Sequence, residues 1–65
     1  MRSIFYQVQQ TGLLWIVTGN GVPCGSAHEA EEAVLLAVDA ARENSGVDSL
    51  AEVWLCRGKN AARVF

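Results

Sequence analysis

Residues 18–32, TGNGVPCGSAHEAEE, gather the side chains of this chain that could do chemistry. Cys24 lies two residues before Ser26, a candidate helix N-cap, where the helix dipole favours a thiolate. His28 is close enough in sequence to serve as its base. A thiol-dependent enzyme using Cys24 is therefore one reading, but nucleophilic catalysis also needs an orienting group and a concave site. No carboxylate is specific to the pair. The glycines suggest phosphate binding less well, because Gly19, Gly21 and Gly25 are one residue too widely spaced for G-x-G-x-x-G and no Gly-Lys-Ser/Thr follows. Two cysteines and one histidine fall short of the four ligands of a structural zinc site. Glu29, Glu31, Glu32, Asp39 and Glu43 read as a solvated helix face, without the burial that separates the pKa values of an acid/base pair. The sequence thus assigns no catalytic, cofactor-binding or metal residue and points to a non-enzymatic protein. The glycines and Pro23 read most simply as a connection from strand to helix.

The elements that must position these residues follow from periodicity. Ile4, Tyr6 and Val8 alternate with Phe5, Gln7 and Gln9, as in a strand. Thr11 and Gly12 supply a turn, and Leu13, Trp15 and Val17 then alternate with Leu14, Ile16 and Thr18 in a second strand, completing a hairpin. Ser26 with Glu29 three residues later fits a capping box, so a helix is predicted over residues 27–44, with Gly46 as a left-handed stop. Residues 51–57 read as a third strand, residues 58–60 as a turn and residues 61–65 as a fourth strand. The expected fold class is α+β: a ββαββ chain, one domain over residues 1–65, with a four-stranded, mainly antiparallel sheet and one helix packed on one face.

That architecture leaves apolar residues unaccounted for. Ala30, Ala33, Val34, Ala37, Val38 and Ala41 share one helix face at 100° per residue, with Leu35 and Leu36 on the two flanks of an acidic ridge. One helix covers one sheet face, which Tyr6, Val8, Trp15, Val17, Val53 and Leu55 supply. Phe5, Leu14, Ile16, Trp54 and Phe65 then fall on the other face, where a one-sided sheet is normally polar. A chain of 65 residues is also at the size where one core barely offsets chain entropy. Both points lead to a homodimer, with Phe5, Leu14, Ile16, Leu35, Leu36, Trp54 and Phe65 as candidate interface. A different protein partner is a further possibility.

The alternative is nucleic-acid binding, with sheet aromatics stacking on bases and Arg57, Lys59 and Arg63 of the last hairpin following the backbone. The net charge of −2 favours it less. The N-terminal MRSIFYQVQQTG turns polar by Gln7, before a secretory h-region is complete, and no apolar run reaches membrane-spanning length. A cytoplasmic protein with reduced thiols and no membrane association is expected.

The "YQV" strand, the "LWIV" strand with Trp15, the helix "HEAEEAVLLAVDAAREN", Gly46 and the final "VWLCRGKNAARVF" together resemble the small bacterial family known as domain of unknown function 2188. The likeness spans nearly the whole chain. The stretch "GNGVPCGSA" and the Ala-rich last turn depart from the family pattern. The resemblance implies the ββαββ layout; the family has no established activity, so it transfers no catalytic residue.

Overall fold

A computed structural model describes residues 2–46 and 49–65. The elements run β1 (Arg2–Thr11), β2 (Leu14–Gly19), β3 (Val22–Ala27), α1 (Ala30–Asn44), β4 (Ser49–Arg57) and β5 (Asn60–Arg63). All five strands form one sheet in the order β3-β2-β1-β4-β5. The α+β class with a single helix is as expected, but the sheet has five strands instead of four, and its central pair, β1 with β4, is parallel. The two differences have one cause. With β3 added, the chain enters the helix travelling in the direction of β1, so a helical return sets β4 down parallel to β1.

The added strand comes from the stretch read as a Gly-rich connection. Asn20 and Gly21 both have positive φ, 51° and 86°, as a two-residue type I′ hairpin requires. The Asn20 side chain holds the turn against β1: its Oδ1 accepts the Phe5 N–H at 2.8 Å, and its backbone N–H donates to the Phe5 carbonyl at 2.8 Å. Ser26 is consequently paired with Ile16 in the sheet and is not a helix cap. The helix begins at Ala30, after an N-cap Glu29 that makes no side-chain cap bond. Its end also differs from expectation. Gly46 is not left-handed; Ser45 leaves the helix in extended conformation, and the hydroxyls of Ser45 and Ser49 donate to the Arg42 and Asn44 carbonyls.

The helix lies on the face formed by Tyr6, Val8, Val17, Ala51 and Val53. Ala33, Ala37 and Ala41, four residues apart on one line of the helix, are fully buried against it. The largest fully buried side chains are only Val8, Val17 and Val53. Every leucine, isoleucine, phenylalanine and tryptophan of the chain keeps some exposure.

Candidate interaction surface

The helix-free face is built by strand alternation. In β1 it receives Phe5, Gln7 and Gln9; register then places Thr18 and Trp54 beside Gln7, and Ile16 and Cys56 beside Gln9. Leu14 extends the apolar area opposite Thr11, and Leu50 adds an exposed side chain on β4. The Phe5 and Trp54 rings meet with centroids 6.0 Å apart and planes tilted by 31°, within the range of a favourable aromatic pair.

A small polar network fixes this pair. Trp54 Nε1 donates to Glu52 Oε1 at 3.0 Å, and Arg63 Nη1 lies 3.8 Å from the same oxygen. Glu52 and Arg63 are the charged residues that strand alternation puts on this face, and they offset each other. Trp54 and Arg63 are register partners and Glu52 lies on the same face two residues before Trp54, a placement that depends on the β4–β5 register and is not specified by Glu52 itself.

The candidate interface residues do not all share a surface. Phe5, Leu14, Ile16 and Trp54 lie on the open face. Phe65 is on the helix side: Val53 bonds both Val64 and Phe65 through its backbone, a two-against-one step that breaks alternation, and the Arg42 guanidinium stands 5.9 Å from the Phe65 ring centroid. Leu35 and Leu36, both exposed, overhang separate grooves. Leu35 edges one of 380 Å³ with Leu55, Arg57 and Val64; Leu36 edges one of 460 Å³ with Val22 and Cys24.

The three cations of the nucleic-acid reading are likewise separated. Arg57 lines the helix-side groove with Leu35, Lys59 sits in the exposed β4–β5 loop, and Arg63 is beside Trp54. Cys24 and Cys56 are free thiols on opposite faces. Among the described residues no hydrogen bond or carboxylate joins Cys24 to His28, and no cluster of three or more His, Cys, Asp or Glu side chains could hold a metal ion. No helix among the described residues is long and apolar enough to cross a membrane. Compared with protein-family models, with curated proteins and with solved structures, the chain matches none.

Proposed function

We propose that this chain is a non-enzymatic interaction module that forms a homodimer by packing its open sheet face on the same face of a second copy. The observation that carries this reading is the distribution of size and charge: the open face holds Phe5, Leu14, Ile16 and Trp54 around the uncharged Gln7, Gln9 and Thr18, with one internally offset Glu52–Arg63 pair. A two-fold contact sets a surface against itself, so a face of net charge near zero meets no self-repulsion. The helix flanks are less suitable, because Glu32, Asp39 and Glu43 lie between Leu35 and Leu36 and would face their own copies.

Area supports the same conclusion. A monomer of 7.0 kDa exposes about 4,000 Å² on the usual size scaling, whereas this chain exposes 4544 Å². Five strands about 4.8 Å apart and roughly 20 Å long offer a footprint on the order of 400–500 Å² per copy. Two such footprints give roughly 1,000 Å², near the lower limit of a specific interface. Nucleic-acid binding is less well supported, since Arg57 lies on the helix side while Phe5, Trp54 and Arg63 lie on the open face, so the three cations form no single patch. Membership of the domain of unknown function 2188 family belongs to the same proposal, as does a reducing cytoplasmic setting, which suits two unbridged cysteines.

Sedimentation equilibrium at low and high salt tests the reading. The expected result is a dimer that persists or tightens in high salt and becomes a monomer in Trp54→Lys. A monomer at all concentrations would overturn it, and association with nucleic acid that collapses as salt rises would favour the alternative.

A further inference from the structure

We infer that the cleft between α1 and the β2–β3 hairpin is a binding site for a small, neutral, mainly apolar molecule carrying one hydrogen-bond acceptor. This site is on the helix side of the sheet and does not depend on the open-face reading.

Three features build the cleft. Its floor lacks side chains at Gly19 and Gly25, so the strands leave a volume of 460 Å³ under Leu36 and Val22, in the range of ligand pockets. A methyl group at Gly19 would come to 3.0 Å from the Tyr6 ring, whereas one at Gly25 would meet only Leu36 Cδ1 at 3.9 Å. The pairing of β2 with β3 also shifts at Val17/Thr18, leaving Cys24 without a register partner. That bulge puts Cys24 on the cleft wall together with its neighbour Gly25.

The third feature is a hydrogen-bond donor. Tyr6 is 6% exposed, and its hydroxyl reaches the cleft, where it accepts from Asn44 Nδ2 at 3.0 Å. The orientation of the Asn44 amide is set independently, because the same Nδ2 donates to the Ala40 carbonyl at 2.9 Å. Asn44 therefore presents N–H to Tyr6, and among the described residues no acceptor takes the tyrosine proton. A phenol that accepts one bond and has its proton available is a directed donor, here beside the apolar side chains of Ile4, Val17, Val22 and Leu36 and the amides of Asn20 and Asn44. Among the described residues none that lines the cleft is charged, so an anion or cation would lose hydration there without a counter-charge. A carbonyl on an apolar body satisfies the site.

Three probes with the same ring separate these terms: acetophenone, ethylbenzene and benzoate, each titrated into isotope-labelled protein and followed by amide chemical shifts. Acetophenone is expected to give saturable shifts at Gly19, Gly25, Leu36 and Asn44 and to bind about fivefold more tightly than ethylbenzene, the size of one neutral hydrogen bond. Benzoate is expected to give none. Tyr6→Phe should remove the fivefold preference and leave ethylbenzene binding unchanged. Should that variant not fold, Gly25→Val, which fills the cleft, should abolish the saturable shifts of both neutral probes. Absence of saturable acetophenone shifts at these residues, equal binding of benzoate, a preference that survives Tyr6→Phe, or neutral-probe shifts that survive Gly25→Val would each overturn the assignment.

Discussion

The two faces of the sheet reverse the usual relation between size and burial. Between helix and sheet, Ala33, Ala37 and Ala41 of the helix and Val8, Val17 and Val53 of the strands are closed to solvent, with Tyr6 nearly so. On the other side Phe5, Leu14, Ile16 and Trp54 keep part of their surface in water. Small residues let a helix approach closely, but each removes little apolar area from water, at about 25 cal/mol per Å². The covered face therefore gains fit and the open face retains the larger unrealised burial. A domain of this size has only a few kcal/mol of net stability, so the second face holds energy comparable with the whole.

The sharpest way to break this contrast is to add volume where the helix sits closest. Ala37→Leu must push the helix off Val8 and Val53 or force strained rotamers, and overpacking of this kind costs about 1–3 kcal/mol. That is enough to unfold much of the population. Leu50→Ala, at an exposed open-face position, is expected to change monomer stability by less than about 0.5 kcal/mol. Urea denaturation of dilute protein compares the two; equal losses would mean that the faces are not energetically distinct.

Next in size is a spectroscopic difference, because each face carries one tryptophan. Trp15 packs against the core on the helix side, and Trp54 is on the open side. In Trp15→Phe the remaining emission comes from Trp54 and should shift to the red on dilution as the paired face becomes wet. In Trp54→Phe the emission of Trp15 should not respond to dilution. A concentration-independent Trp54 signal would place the contact elsewhere on the molecule.

Alternation made both faces legible in advance, since Tyr6 and Val8 part from Phe5 and Gln7 at period two whatever the partner strand. The helix was legible because its alanines recur at helical spacing. What was hidden is β3. VPCGSA has little β-propensity and contains a proline, so its strand character comes from pairing with β2, not from its own residues. The Asn20-Gly21 dipeptide is the local signal for it, being a strong marker of a tight hairpin, and with that hairpin follow both the fifth strand and the parallel centre. The position of Phe65 was hidden for a different reason: a two-against-one step at Val53 reverses facing without leaving a mark in composition. The cleft beside Tyr6 required the bulge at Cys24 and the Asn44 contact, neither of which local pattern specifies.

The smallest expected effect concerns the charges of the open face. Glu52 and Arg63 are both partly exposed, with side chains 39% and 56% accessible, so their attraction within one copy is worth at most about 0.5–1 kcal/mol. Glu52→Gln should therefore leave monomer unfolding nearly unchanged. In a two-fold contact, however, it leaves an unbalanced arginine on each copy, so that the two faces carry net charge of the same sign. Self-association should weaken a few-fold at low salt and recover as salt screens the two cations, and Arg63→Gln added to Glu52→Gln should restore most of it without salt. Sedimentation equilibrium of the single and double variants separates this from weakening of the Trp54–Glu52 hydrogen bond as its acceptor loses charge, which the second substitution would not repair. If the double variant stays as weak as the single one, the ion pair acts by holding Trp54 in place, and neutrality is not what lets this face meet itself.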